Sequence, residues 1–393
     1  MTTLLIIIYI TFISLGLPDA VLGSAWPKMY LDLHSTIPAA GIMTMIVSGG
    51  TIVSSLYSGK LIHKFGTSKV TTFSVLLTAF GLLGISFTPN LFIMCLFGIP
   101  LGIGAGAVDS GLNNFVALHY KAKHMNWLHC FWGIGATAGP MIMSFFLMKQ
   151  NGWQTGYLLI SIIQFLLVIC LFLSFPIWRK NELKEMSHEK NKHTNLRSLI
   201  KLPGAKSALL GYFCYCAVEA VTGLWAGSYL VLNKGMSVST AALWVSLFYV
   251  GITAGRFISG LMAVKINNIN MIRIGQVLVV FGAILMLIPY SNNLQLIGLI
   301  LLGLGCAPIY PSMLHETPNR FGKSVSQGIM GIQMATAYIG STFIPPVVGF
   351  ITNEVGFGIF PIIIVSLGVL MIFSTENINH LLSKKTALLE IEK

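Results

Sequence analysis

Charged residues are scarce in this chain. Asp, Glu, Lys and Arg make up 9% of its 393 residues, whereas hydrophobic residues make up 55%. A water-soluble domain of this length could not cover its surface with so few charges. The composition therefore excludes an ordinary soluble protein and indicates that lipid is the main solvent. Because the basic residues fall in alternate loops, the net charge of +12 does not indicate a nucleic-acid partner.

Cysteine is also rare, and all six cysteines lie inside predicted membrane spans. We expect neither a disulfide framework nor a zinc site. No spacing of His, Cys and carboxylate residues typical of a metal site occurs, and no nucleophile and base stand at a usable spacing. The Gly-rich stretch Gly102 to Gly106 lacks the Lys-Ser/Thr of a phosphate loop. The sequence thus predicts no metal, no cofactor and no enzymatic activity.

Apolar stretches of roughly 20 residues recur along the chain, each long enough to cross a hydrocarbon core about 30 Å thick. They predict an all-α integral membrane protein with twelve spans in two pseudo-symmetric six-helix bundles. The bundles are expected at 1–176 and 206–375, with a linker at 177–205 and a tail at 376–393. The spans are predicted near 3–25, 37–62, 69–88, 90–118, 126–148, 154–176, 206–232, 240–262, 271–290, 294–316, 325–351 and 355–375.

Lys and Arg are unevenly distributed among the predicted loops. When both termini are placed in the cytoplasm, only Lys28, Lys149 and Lys234 fall on the outer side. Basic residues are retained in the cytoplasm during insertion, so this orientation and an even number of spans are favoured. We expect a monomeric multi-pass protein of the cell (plasma) membrane, surrounded by lipid.

The two halves of the sequence match each other at a constant offset of 201 residues. Such weak internal symmetry is typical of transporters built from duplicated bundles, which alternate access to a site near the bilayer midplane. The matching pairs are Lys64 and Lys265, Gly59 and Gly260, Gly102 and Gly303, Gly104 and Gly305, and Gly139 and Gly340.

Three acidic residues lie well inside predicted spans: Asp19 in span 1, Asp109 in span 4 and Glu219 in span 7. A charge at the centre of a membrane helix costs about 2.5 to 3.5 kcal/mol. No Lys or Arg lies in the middle of a predicted span to act as a counter-ion. Because such groups usually face a wet pathway, we expect the three carboxyls to carry protons. The alternative is a protonated carboxyl that only hydrogen-bonds a neighbouring helix.

Neutral polar and aromatic residues accompany these acids. Amide groups offer paired donors and acceptors to sugar hydroxyls, and an indole face can cover a pyranose ring. His129 could relay a proton, contact a solute or bond another helix. Trp127, near a span end, is interpreted as an interfacial anchor. The predicted substrate-binding residues are Asn113, Asn114, His129, Trp132, Trp225, Gln327 and Gln333.

The stretch from Gly59 to Gly66 resembles the signature loop of the major facilitator superfamily, Gly-x-Leu-x-Asp-x-x-Gly, although His63 stands at the acidic position. The segment from Gly255 to Gly260 is similar to the corresponding element of the second half. The resemblance implies a twelve-helix transporter fold and a gating role for four residues, which are Gly59, Lys64, Gly66 and Arg256.

The stretch from Gly104 to Asn114 is similar to the span 4 motif of fucose and glucose permease-like sugar:proton symporters, in which a Glu usually stands at the Asp109 position. Asp19 and Glu219 match the span 1 and span 7 acids of those permeases. The resemblance implies proton-coupled symport of a sugar or similar small polar metabolite. Proton-driven efflux of drugs or amphiphilic metabolites, and a membrane sensor without transport, stay open as alternatives.

Overall fold

The computed structural model describes residues 2–120, 122–149, 152–182, 199–263, 265–288 and 292–391, and every regular element within these ranges is helical. Twelve helical segments in the described part of the chain are long and apolar enough to cross a membrane. Each of them overlaps one of the predicted spans. The repeating apolar pattern therefore predicted the number of spans and their helical type correctly.

Eight helices form the first half of the chain. The first span is broken into α1 and α2 and continues to Asp32, past its predicted end at residue 25. α8 occupies the start of the predicted linker, and residues 183–198 of that linker lie outside the described residues. The helices are α1 Thr2–Asp19, α2 Val21–Asp32, α3 Ala39–Phe65, α4 Thr67–Ser86, α5 Leu91–His119, α6 Ala122–Leu147, α7 Gly152–Leu173 and α8 Phe175–Glu182.

Six helices form the second half, together with a short 3-10 turn. They are α9 Ala205–Leu232, α10 Val238–Met262, α11 Asn268–Leu287, α12 Asn292–Phe321, α13 Lys323–Val355, the turn Phe357–Ile359 and α14 Phe360–Ile391.

α14 continues through most of the segment expected to be a tail. Hydropathy marks only the apolar part of a helix, and the polar continuation has partners that a window of sequence does not reveal. Arg273 of α11 donates to both carboxylate oxygens of Glu376, at 2.6 Å from Nε and 2.7 Å from Nη2. This bidentate pair fixes α14 against α11 beyond residue 375.

The described chain divides into two compact units that do not coincide with the two halves of the sequence. The first unit comprises Met1–Glu189, Gly223–Val250 and Gly349–Phe357. Within it, α5 packs along α3 and α4, and α1 packs along α6. The division into bundles at 1–176 and 206–375 stays a prediction.

The second unit comprises Lys190–Thr222, Gly251–Val348 and Gly358–Lys393. Within it, α11 packs along α12 and α14. Gly275 of α11 and Gly305 of α12 allow this approach, since a methyl group on Gly275 would lie 2.6 Å from the Gly305 carbonyl oxygen. Small residues at helix contacts replace the hydrophobic effect as the means of close packing in lipid.

The stretch that resembles the signature loop is mostly helix. α3 ends at Phe65 and α4 begins at Thr67, so Gly66 alone makes the turn, at φ 87° and ψ 155°. Residues with a side chain are strained at this φ. Lys64 places its ammonium 5.2 Å from the centroid of the Phe65 ring. Gly59 lies inside α3 in open space, so only Gly66 has a conformation that requires glycine.

Gly66→Ala is expected to lower the free energy of unfolding by about 1 to 3 kcal/mol, because alanine is strained at a positive φ. Gly59→Ala is the matched control, since alanine in an open helical position should be neutral or raise stability by up to about 1 kcal/mol. Thermal unfolding in detergent measures both variants. Equal melting temperatures would show that the turn tolerates a side chain.

Candidate functional site

The first span is interrupted beside Asp19. α1 ends at this residue, Ala20 forms a turn, and α2 begins at Val21. Pro18 has no N–H, so the carbonyl of Ser14, four residues earlier, loses its helical donor. The side-chain amide of Gln164 in α7 donates to that carbonyl at 2.7 Å and accepts from the Ser14 hydroxyl at 2.6 Å. Gln164 therefore supplies the hydrogen bond that the proline removes.

The Asp19 carboxylate is held from α6. The indole N–H of Trp132 donates to Asp19 Oδ2 at 2.7 Å, and the Asp19 side chain remains exposed. This bond depends on close contact between α1 and α6. A methyl group on Gly16 would overlap the carbonyl oxygen of Trp132, and one on Gly135 would overlap that of Ile13.

Asp109 lies inside α5 in a different environment. Its Oδ1 accepts a hydrogen bond from the Asn113 amide, one turn further on, at 2.9 Å. Among the described residues, no basic side chain forms an ion pair with this carboxyl. The Asn113 Oδ1 is buried and, within the described part of the chain, has no hydrogen-bond partner. A buried polar atom without a partner costs about 1 to 3 kcal/mol, so this acceptor is available to an incoming donor.

Glu219 in α9 belongs to the second unit. Its carboxylate accepts a hydrogen bond from the Tyr215 hydroxyl, one turn earlier. Glu219 also interacts electrostatically with Cys306, and Arg256 of α10 interacts with both Tyr215 and Cys306. Arg256, expected in a gating element, thus shares two neighbours with Glu219. The proton-carrying role of Glu219 stays a prediction.

His129 lies on α6, one turn before Trp132. Its ring meets the ring of Phe12 in α1 edge-on, with centroids 6.2 Å apart. Asn114 has an exposed side chain next to Asn113. The first unit contains Asp19, Asp109 and five of the predicted substrate-binding residues, which are Asn113, Asn114, His129, Trp132 and Trp225.

Two predicted substrate-binding residues of the second half are packing residues in this structure. Trp225 has no exposed surface and packs on Gly349 and on the ring of Phe357, whose centroid is 5.9 Å away. Gln333 is buried and accepts a hydrogen bond from the Thr317 hydroxyl at 3.0 Å. Neither side chain is accessible to a solute in this conformation. The side chain of Gln327 lies outside the described residues.

The profile of the Major Facilitator Superfamily matches residues 8–207 and again residues 208–388, almost the entire chain. The chain belongs to the Major Facilitator Superfamily. The predicted family is confirmed, and the boundary between the two matches falls near the end of the predicted linker.

Two relatives match this facilitator over most of their length. The glucose/mannose transporter GlcP of Bacillus subtilis (strain 168) is 24% identical over 364 residues, which are 88% of this chain and 87% of the relative. Bypass of stop codon protein 6 of Saccharomyces cerevisiae is 22% identical over 387 residues, which are 90% of this chain and 78% of the relative.

Two solved structures share the fold. The nucleoside transporter NupG superposes with a TM-score of 0.79 at 12% identity, covering 95% of this chain and 98% of NupG. A D-xylose-proton symporter superposes with a TM-score of 0.71 at 13% identity, covering 94% and 97%. The predicted twelve-span facilitator fold is thus confirmed, and the protein is a multi-pass protein of the cell membrane. The orientation of its termini stays a prediction.

Sequence reasoning missed two residues that shape the site of this facilitator. Gln164 is a glutamine in the middle of an apolar span, which is costly in lipid unless it has a partner, so its position was an available signal. Tyr215 stands four residues before Glu219, a spacing that places both side chains on one face of a helix. The Asp19 to Trp132 bond gave no such signal, because the two residues are far apart in the chain.

Gln164→Leu is expected to lower the free energy of unfolding by about 1 to 3 kcal/mol, because the Ser14 carbonyl loses its donor. Gln154→Leu in the same helix is the control. The Oε1 of Gln154 is already buried without a partner among the described residues, so we expect little change. Thermal unfolding in detergent compares the two variants, and an equal loss of stability would refute the compensating role of Gln164.

Proposed function

We propose that this facilitator is a secondary active transporter that carries a sugar or similar small polar metabolite together with protons, by alternating access. The observation that carries the proposal is the pair formed by Asp109 and Asn113. It joins an intramembrane carboxyl that forms no ion pair to an amide whose oxygen accepts no hydrogen bond, both within the described residues.

The environment of Asp109 suits a proton carrier. A carboxylate without a compensating cation is costly in a membrane interior unless water reaches it. Asp109 can therefore bind a proton while the site is open to one side and release it while the site is open to the other. A cation in permanent contact would remove this dependence on water access.

Asn113 suits a polar solute. A hydroxyl of the solute that donates to Asn113 Oδ1 would satisfy an acceptor that has no partner in the described part of the chain. The same amide already holds Asp109 through its N–H. Solute and proton would then bind at adjacent groups, which is the simplest arrangement for coupling their movement.

The relatives support the class of solute. One is named as a glucose/mannose transporter, and two structural neighbours are titled as a nucleoside transporter and a D-xylose-proton symporter. Sugars and nucleosides both present several hydroxyl groups to the protein. Such a solute fits the amides of Asn113 and Asn114 and the indole of Trp132. Asp19 provides a second carboxyl in the same unit.

The solute can be identified by thermal-shift screening of the purified protein against sugars, nucleosides and amphiphilic cations. We expect a sugar or nucleoside to raise the melting temperature, and the rise to be reduced in Asn113→Ala because one hydrogen bond to the solute is lost, about 1 kcal/mol. Stabilisation by amphiphilic cations alone would instead indicate efflux of such compounds.

Asp109→Asn is expected to abolish accumulation of that solute in proteoliposomes with an imposed proton gradient, while solute exchange continues. Asparagine is close to aspartate in size and polarity but cannot carry a proton. Glu354→Gln is the control, since Glu354 is exposed at the end of α13. Undiminished accumulation in Asp109→Asn would contradict the proposed proton site, and loss of both accumulation and exchange would indicate a structural role.

A further inference from the structure

Trp132 contacts more than the candidate proton site. Its indole N–H donates to Asp19 at 2.7 Å, and its ring meets the ring of Tyr249 edge-on, with centroids 6.5 Å apart. Tyr249 belongs to α10, in the part of the second half of the sequence that packs within the first unit. A single side chain thus touches both an intramembrane carboxyl and a segment from the other half of the chain.

Tyr249 lies beside a backbone contact between α2 and α9. A methyl group on Gly223 of α9 would overlap the Tyr249 hydroxyl. One on Gly23 of α2 would overlap the Gly223 carbonyl oxygen, and one on Gly227 would lie 2.8 Å from the Gly23 carbonyl oxygen. The glycines let the two backbones touch, so the ring of Tyr249 borders the place where residues 223–250 pack on the first half of the chain.

A second polar contact joins the same segments. The Ser144 hydroxyl of α6 donates to the carbonyl of Ser239 in α10 at 2.7 Å. Residues 223–250 are therefore in contact with both α2 and α6. Within the proposed function, alternating access requires these contacts to form and to break.

We propose that Trp132 is a positioning residue that links the state of the Asp19 carboxyl to the packing of residues 223–250 on the first-half helices. The inference rests on the proposed function for its role in transport, but the link itself does not depend on the identity of the solute.

The strength of the Trp132 hydrogen bond depends on the charge of its acceptor. A hydrogen bond to a carboxylate is roughly twice as strong as one to a neutral group. An ionised Asp19 holds the indole in the orientation that contacts Tyr249. When Asp19 is protonated, or a solute takes the place of the indole N–H, the ring is released and the contact with Tyr249 weakens. Opening of this contact is then favoured after Asp19 has bound its proton.

Other charged or titratable groups lie on the helices packed against α1. His129 stands one turn from Trp132 on α6, and Asp109 lies on α5. Lys28 and Asp32 of α2 pair with each other at 2.8 Å. Substitution of Asp19 itself, at constant pH, separates its effect from the titration of these neighbours.

Hydrogen-deuterium exchange of the full-length protein in nanodiscs tests the link. Asp19→Asn imitates the neutral carboxyl and should make backbone exchange in residues 223–250 about tenfold faster. Trp132→Phe keeps an aromatic ring but removes the N–H, and should give a similar increase. The double variant should exchange no faster than either single variant, because both changes break one link.

Two further variants complete the experiment. Trp127→Phe on the same helix is the control, since Trp127 is 58% exposed, and exchange in residues 223–250 should equal that of the wild type. Tyr249→Ala removes the ring that Trp132 contacts and should also make exchange in residues 223–250 faster. This variant replaces Trp132→Phe in the test if Trp132→Phe does not fold.

Additive effects of Asp19→Asn and Trp132→Phe would overturn the proposal, as they would mean that Trp132 packs independently of Asp19. Unchanged exchange in Asp19→Asn would overturn it as well. Exchange is measured without solute or gradient, so failure of the proposed transport activity would be detected separately, in the accumulation assay.

Discussion

The hydrocarbon core of a bilayer offers no hydrogen bonds, so each polar group that lies in it needs a partner within the chain. The structure meets this requirement over long sequence separations. Gln164 bonds the carbonyl that Pro18 leaves without a donor, and Gln276 of α11 bonds the Thr375 hydroxyl of α14 at 3.0 Å. Against this background, the Asn113 oxygen is one of seven buried side-chain atoms without a partner among the described residues, and it lies one turn from an intramembrane carboxyl.

The same constraint explains why packing and site chemistry involve the same residues. Helices in lipid gain little from hydrophobic burial, so they approach closely where glycines expose the backbone. Gly16 and Gly135 bring α1 and α6 into backbone contact, and this contact brings Trp132 within hydrogen-bond distance of Asp19. A larger residue at either glycine would separate the helices, so the geometry of the carboxyl depends on residues that carry no chemistry themselves.

The sequence predicted the spans well because the length of an apolar stretch depends on the bilayer and little on tertiary structure. It predicted poorly which polar side chains bond to each other across the chain. The hydrogen bond that replaces the one removed by Pro18 comes from Gln164, and the ion pair that holds the extension of α14 comes from Arg273, and both residues lie far away in the chain. Trp225 was predicted to bind the solute but is fully buried, because composition does not tell which face of a helix meets its neighbours. The sequence singles out the three acids because a charge in lipid is costly wherever it points, and their role stays a prediction.

The two halves have matching glycines but different electrostatics. Asp109 in the first unit has an amide as its partner and forms no ion pair in the described chain, whereas Glu219 in the second unit has a tyrosine partner and shares neighbours with Arg256. A cation nearby stabilises a carboxylate whether or not water reaches it, and thereby weakens the dependence of its protonation on access. If protons drive the transport cycle, their binding should therefore be coupled to access mainly in the first unit, at Asp109 and Asp19.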